Sequence, residues 1–323
     1  MPMEILRDPT PSADLPRGCV VSIGNFDGVH RGHEMLLRGA VARAGEVGAP
    51  AVALTFEPHP EKVLRPDSGL ALLSTRAQKA QLLERLGIET LVEVGFDRRF
   101  AATTAEEFAR DFLFARLAPR EVRIGANFRF GAGRQGDVTF LERMGRLMGF
   151  DVVGFEPVMD DGAPISSSRI RREVADGHME EAWRLLDRPY FVDGTVYSGE
   201  RMGRTFGFPT INVELDNELS PPRGVYVTAT HLPSFHKVFR SVTNIGVRPT
   251  VYENYRVTVE SHLLDFTADV YHEPVRLYFM HRIRDEMVFP SSMALIAQIR
   301  KDAEGAKTYF ATRGLPGDEL VLR

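Results

Sequence analysis

An α/β domain built on a parallel sheet, followed by a domain of short antiparallel strands, is the architecture the sequence predicts. Strand and helix patterns alternate from Gly18 to about Phe155, as in a parallel sheet covered on both faces. After Asp187-Arg188-Pro189 the texture changes to short β-rich runs separated by turns, evenly spaced as in an antiparallel barrel or sandwich. A length of 323 residues suits two domains better than one. The boundary is therefore expected near residue 187, with domains at 1–186 and 187–323.

The bulk properties exclude several classes. A net charge of −4 is too mild to advertise a nucleic-acid partner. No apolar run is long enough to span a bilayer. The N-terminus sets Glu4, Arg7 and Asp8 among prolines and has no signal-peptide core. Cys19 is the single cysteine, which excludes an intramolecular disulfide and fits a reducing cytoplasm. It lies in the first predicted strand of the α/β domain, where a buried structural thiol is expected. A cytoplasmic protein with no membrane partner follows. The sequence leaves self-association as a homo-oligomer open.

Val20 and Val21 form a short apolar run and read as a buried strand. Ile23-Gly24-Asn25-Phe26-Asp27-Gly28-Val29-His30-Arg31-Gly32-His33 then turns into a helix marked by Met35, Leu36, Val41 and Val47, ending at Gly48. Such a turn offers free backbone N–H groups and the positive end of a helix dipole, which suit a phosphate. His30 and His33 face one side if the helix begins near Gly32, and paired imidazoles can donate to phosphate oxygens as charge builds there. Two alternatives compete at this point: a metal site, for which two His with only Asp27 nearby is a poor ligand set, and plain capping or packing.

Ala51 to Phe56 reads as a strand running into Thr55-Phe56-Glu57-Pro58-His59-Pro60. Two prolines predict an extended loop there, with Phe56 and His59 offering flat faces to a ring system or merely packing. Helices are expected over Thr75–Leu86 and Thr104–Leu117, opened by Thr75-x-x-Gln78 and Thr104-x-x-Glu107 as capping boxes. Leu91–Val94, Val122–Ile124 and Val152–Phe155 read as strands and Thr139–Met148 as a helix. After the strand ending at Ile124 comes Gly125-Ala126-Asn127-Phe128-Arg129-Phe130-Gly131, with a free backbone, an amide and planar cations. Ile165-Ser166-Ser167-Ser168-Arg169-Ile170-Arg171 opens a helix that carries on through Val174, Trp183, Leu185 and Leu186, Trp183 being expected as a core anchor. Three hydroxyls and two arginines exceed what N-capping needs and would suit a triphosphate. These motifs follow predicted strands, so the carboxyl edge of the sheet is where they would meet.

In the second half, strands are expected over Tyr190–Tyr197, Gly224–Thr230, Val238–Ile245, Tyr255–Leu264 and Val275–Ile283, and a closing helix over Ser291–Tyr309. Gly199 to Asn212 is a glycine-rich loop without the Gly-Lys-Ser/Thr of a Walker A motif. Thr210 and Asn212 sit one residue apart on an extended segment and supply two neutral oxygens, as Mg²⁺ takes beside phosphates. A hairpin with polar turns is the plainer alternative. Glu260 lies on a predicted strand and is either a solvated charge or an inward one with a purpose.

Gly24-x-Phe26-Asp27-Gly28-x-His30-x-Gly32-His33 resembles the signature of the HxGH nucleotidyltransferases, in the form found in the adenylyltransferase half of prokaryotic bifunctional riboflavin kinase/FAD synthetases. Gly199 to Asn212, with its Pro209-Thr210-x-Asn212, resembles the riboflavin kinase signature, and further matches follow at Gly224-Val225-Tyr226, Asn244 to Thr250 and Val259 to Phe266. The resemblance spans roughly residues 16 to 312 in the family order. It implies a Rossmann-like nucleotidyltransferase domain followed by an antiparallel β-barrel kinase domain with a C-terminal helix. It implies phosphorylation of riboflavin to FMN, adenylylation of FMN to FAD, ATP as co-substrate and Mg²⁺ as cofactor. His30, His33 and Arg171 would serve adenylyl transfer and Glu260 would be the kinase base. Nucleotide would contact Gly24, Phe26, Asp27, Gly28, Asn127, Ser167 and Ser168 in the first half, and Gly203, Arg204, Gly207 and Pro209 in the second. Flavin would lie against Phe56, Pro58, His59 and Phe128, and the metal on Thr210 and Asn212.

Three departures accompany the resemblance: Ser168 stands where threonine is usual, Ile211 where alanine is usual, and His272 where Tyr-Gly is usual after Tyr271. If that glycine needs φ > 0, His272 is strained or the turn differs. Two alternatives stand beside the bifunctional expectation: an enzyme with one active half, and a non-catalytic flavin-binding regulatory protein.

Overall fold

The computed structural model of the chain describes residues 2–9, 15–198, 208–249 and 255–314. It divides into two units, Met1–Ala71 with Arg76–Ser167, and Leu72–Thr75 with Ser168–Arg323.

The first unit holds a six-stranded sheet of β1 (Glu4–Arg7), β2 (Val20–Ile23), β3 (Ala51–Glu57), β4 (Thr90–Gly95), β5 (Glu121–Gly125) and β6 (Asp151–Phe155). The strands are parallel and lie in the order β1-β4-β3-β2-β5-β6. β2 is buried along its whole length, which is why its apolar run is continuous rather than alternating. β1 escapes sequence reading because Glu4 and Arg7 flank only two apolar residues, and pairing with β4 is what makes the segment a strand.

The connecting helices are α1 (Arg31–Val47), α2 (Pro60–Leu64), α3 (Arg76–Arg85), α4 (Arg98–Ala101), α5 (Ala105–Glu107) and α6 (Val138–Met148). The Thr104–Glu107 capping box forms as the spacing predicts, but beyond it Phe108–Leu117 continues as π-helical turns. α1 stops at Gly48, whose φ of 60° closes the helix in the left-handed region. The extended loop expected after Phe56 is corrected. Pro60 opens α2 instead, and the His59 ring caps that helix by accepting the Glu61 N–H at 3.2 Å. Pro can do this because at the first helical turn its missing N–H costs nothing. A two-stranded hairpin, β7 (Met159–Asp160) with β8 (Ala163–Pro164), precedes Ile165.

α7 (Ser167–Asp176) and α8 (Met179–Leu186) replace the continuous helical run read from Ser168 to Leu186. Gly177, at φ 82°, separates them. Trp183 is half-buried rather than a core anchor, while Met179, Ala182, Leu185 and Leu186 form the buried face of α8. The second unit then forms a closed antiparallel barrel, not a sandwich, of β9 (Tyr190–Tyr197), β10 (Ile211–Leu215), β11 (Gly224–Leu232), β12 (Lys237–Pro249), β13 (Tyr255–Leu263) and β14 (Pro274–Arg284). β9 pairs with both β10 and β14 and so completes the closure. Inside it, Thr228, Ser241, Thr230, Ser261 and Thr243 make a ring of hydroxyls, each fully buried, with links of 2.7 to 3.4 Å. Ser241 Oγ also donates to the Thr228 carbonyl at 2.9 Å, so the ring hydroxyls are hydrogen-bonded to one another and to the backbone rather than left unpaired in the core. α9 (Ser292–Arg313) closes the unit, capped by the Ser291 hydroxyl on the Ala294 N–H at 3.2 Å.

Candidate active sites

The first site is built at the end of β2. The chain there is held in unusual backbone: Phe26 has φ 50°, Gly28 77° and Val29 39°. A β-branched valine rarely adopts positive φ, and the conformation persists because both side chains are locked, with Phe26 and Val29 buried to within 1%. Two glycines make room for rings rather than for turns. A Cβ on Gly24 would come within 2.9 Å of the Phe26 ring, and one on Gly32 within 3.2 Å of the His30 ring.

His30 caps α1, which begins at Arg31; its Nδ1 accepts the His33 N–H at 3.4 Å. With Nδ1 an acceptor, the neutral ring carries its proton on Nε2 and can donate from there. The His33 ring stacks on it at 3.7 Å and 17°, with Phe26 edge-on to His33 at 5.4 Å. The two imidazoles therefore lie face to face on one side of the turn, with the helix beginning at Arg31, one residue before the Gly32 start that the sequence suggests. From 140 residues further along, Ser167 Oγ donates to the Asp27 carbonyl at 2.9 Å. Asp27 itself is buried, at 3% exposure.

A cavity of about 520 Å³ opens in the same unit. Its walls carry Phe56, His59, Asn127 and Phe128, so the second and third sequence motifs meet in one hollow. Phe96 and Phe100 also line it, and neither was singled out from the sequence. The Phe56 ring packs against Phe96, Phe100 and Phe108 at 5.9 to 6.4 Å. An aromatic wall of this kind suits a flat heterocycle. Pro58 follows Glu57 through a cis peptide at the lip of β3. Ser168 and Arg171 fall in the second unit, on the first turns of α7, with Arg171 Nη1 donating to Ser168 Oγ at 3.5 Å.

The second site lies on the barrel. Asn212 on β10 stands opposite Glu260 on β13, and Glu260 stands opposite Asn244 on β12. Directly opposed residues share a sheet face, so Asn212, Glu260 and Asn244 form a row. Pro209 and Thr210, just before β10, line a second cavity of about 290 Å³ with Phe266, Asp269 and Tyr271. The Pro209 carbonyl accepts from His262 Nδ1 at 2.8 Å, and Phe208 packs edge-on against the same imidazole at 5.4 Å. His262 lies two residues beyond Glu260 on one face of β13, a spacing that could have marked it in the sequence. Thr210 and Asn212 present a hydroxyl and an amide, hard neutral oxygens that fit Mg²⁺ once phosphates supply the charge. Gly203, Arg204 and Gly207 lie outside the described residues. His272 takes φ 66°, the left-handed backbone that the absent glycine would have tolerated.

Comparison with known proteins gives two tandem matches. Residues 12–169 match the family model described as FAD synthetase, and residues 186–310 that described as riboflavin kinase. The chain is 38% identical over 309 residues to the bifunctional riboflavin kinase/FMN adenylyltransferase of Escherichia coli strain K12, covering 95% of this chain and 98% of that protein. It is 35% identical to the protein of the same name from Bacillus subtilis, over 90% of this chain and 92% of that one. Among solved structures, one from Streptococcus pneumoniae described as a macrolide-efflux protein superposes with a TM-score of 0.85 at 30% identity, over 95% of this chain and 99% of that one. No helix among the described residues is long and apolar enough to cross a membrane.

Proposed function

The chain belongs to the family of bifunctional riboflavin kinase/FMN adenylyltransferases, and from that premise we propose which side chains carry its two reactions. It is a transferase that phosphorylates riboflavin to FMN with ATP and adenylylates FMN to FAD, releasing pyrophosphate. Neither a single-activity enzyme nor a non-catalytic flavin binder has support. The observation that carries the bifunctional reading is the pair of family matches in tandem, one on each half of the chain. Incubation of purified protein with riboflavin and Mg-ATP should yield FMN and then FAD; FMN alone, or neither, would overturn it.

In the kinase step Glu260 takes the proton of the riboflavin 5′-hydroxyl as that oxygen attacks the γ-phosphate, and ADP leaves. Thr210 and Asn212 would hold Mg²⁺, which would supply charge neutralisation for the ATP phosphates. His262 donates to the Pro209 carbonyl, next to Thr210 at the cavity wall, and Gly203, Arg204, Gly207 and Pro209 would contact the nucleotide. Phosphoryl transfer asks for positioning and charge neutralisation more than covalent help.

In the adenylyl step an oxygen of the FMN phosphate attacks the α-phosphate of a second ATP, and pyrophosphate leaves without a covalent enzyme intermediate. His30 and His33 donate to phosphate oxygens as charge builds. The Gly24–Gly28 turn and Asn127 bind the nucleotide, and Ser167, Ser168 and Arg171 receive the pyrophosphate. The flavin lies along Phe56, Pro58, His59 and Phe128. We assign the functional boundary to residue 187 and the protein to the cytoplasm, whose reducing conditions suit the single buried Cys19.

A further inference from the structure

Lys79 is a buried cation that neither reaction above uses. It projects from α3 and is 6% exposed. Its Nζ lies 3.8 Å from Oε2 of Glu57, the last residue of β3. The fields of Asp27 and Glu93 also favour its charge, while that of Arg76, on its own helix, opposes it. Glu93, 1% exposed, already has two arginines, Arg76 at 2.5 Å and Arg7 at 3.3 Å. Lys79 pairs with Glu57 and lies in the field of Asp27. Burial dominates these influences and holds the ammonium below its ordinary value of 10.5. An apolar side chain of similar volume would fill the space at lower cost, so the retained charge calls for a use.

Glu57 and Asp27 belong to different parts of the adenylyl site. Glu57 closes the strand that presents Phe56, with Pro58 and His59 following directly. Asp27 lies in the turn that presents His30. We infer that Lys79 is a positioning residue of adenylyl transfer: its ammonium, paired with Glu57, fixes the flavin-bearing end of β3 and so sets the FMN phosphate against the α-phosphate of ATP. The inference rests on the reading that adenylyl transfer occurs at this turn.

The test follows FMN adenylylation by the full chain, supplied with FMN and Mg-ATP, in the parent, Lys79→Arg and Lys79→Met, from about pH 7 to about pH 10. A guanidinium stays protonated throughout this range. The alkaline fall in kcat/KM should therefore begin below pH 10.5 in the parent and move upward in Lys79→Arg. Near neutral pH, Lys79→Met should lose about 10²-fold in kcat, the scale of a small misplacement of reacting groups. Lys79→Arg should recover much of that loss, and riboflavin phosphorylation should be unchanged in both. Coincident alkaline limbs in the parent and Lys79→Arg would overturn the inference, as would a folded Lys79→Met that adenylylates at nearly the parental rate. If Lys79→Met fails to fold, judged by its thermal transition, the alkaline limbs decide alone. His30→Ala assayed in parallel separates the two ideas. Intact adenylylation in that variant removes the site reading on which this one rests, whereas its loss alongside parental behaviour of both Lys79 variants removes only the role given to Lys79.

Discussion

Glu260 and Asn212 are cross-strand partners, set directly opposite each other in the antiparallel pairing of β13 with β10. Forty-eight positions of sequence separate an expected base from an expected metal ligand, and closure of the barrel removes that distance. Asn244 completes the row on the other side of Glu260.

This relationship makes Glu260→Gln a sharp probe. The amide keeps nearly the same shape but cannot take a proton. General-base contributions are typically about 10²–10⁴-fold, so kinase turnover should fall by that order with nucleotide binding retained. FAD formation from supplied FMN should not change. Kinase turnover within a few-fold of the parent under saturating Mg-ATP would remove Glu260 from the mechanism.

His30→Ala should act on the other half. It removes one donor from a preorganised site, a loss of typically about 10²–10³ in rate, and deletes the ring that caps the His33 N–H. Loss of an N-cap costs about 1 kcal/mol, so a modest fall in thermal stability should accompany the loss of FAD synthesis. Riboflavin phosphorylation should be spared, and an equal loss of both activities would contradict the assignment.

His272→Gly should stabilise the protein. The left-handed conformation of this residue, φ 66°, costs a non-glycine residue roughly 1–2 kcal/mol, while glycine loses about 0.5–1 kcal/mol through its freer unfolded chain. The net gain is about 0.5–1 kcal/mol. The backbone bond from the His272 N–H to the Val196 carbonyl, 2.8 Å, survives the change. A lower urea midpoint in the variant would refute the strain.

Burial pushes the Cys19 thiol up to about 12. It should resist alkylation in the native protein near pH 8.5 and react at once on unfolding. The stability consequence has a definite sign. The folded value lies above the thiol's ordinary value of 9.0, so the full contribution is present below pH 9 and is lost as pH rises toward 12. Urea unfolding above pH 9 should therefore weaken more steeply with pH in the parent than in Cys19→Ala.

Two fragments of the second half should differ in stability and agree in activity. One beginning at Leu186 has the whole barrel. One beginning at Ser168 adds α7 and α8, including the buried face of α8 and the Glu180–His281 pair. Both should phosphorylate riboflavin, and the longer should unfold at higher temperature. An unfolded short fragment beside a folded long one would move the functional boundary to Ser168.

By itself the sequence determined the strand–helix alternation of the first half, the run of strands in the second, and the motifs that resemble the family to which the chain belongs. The alternation from Gly18 to Phe155, the Thr104–Glu107 cap and the pairing of His30 with His33 are effects of neighbours within a few positions, and local sterics and hydrogen bonding decide them. Only the tertiary structure decided what depends on contacts between distant segments. β1 is a strand because β4 pairs with it, and Ser167 is tied to Asp27 across 140 positions. The strands after Pro189 were legible as strands, yet their closure into a barrel required β9 to pair with β10 and β14 at once. Lys79 looks like one more helix lysine in sequence. It becomes a buried counter-charge only when α3 packs it against Glu57, because burial and field are properties of what the fold places around a side chain, not of the side chain's neighbours in the chain.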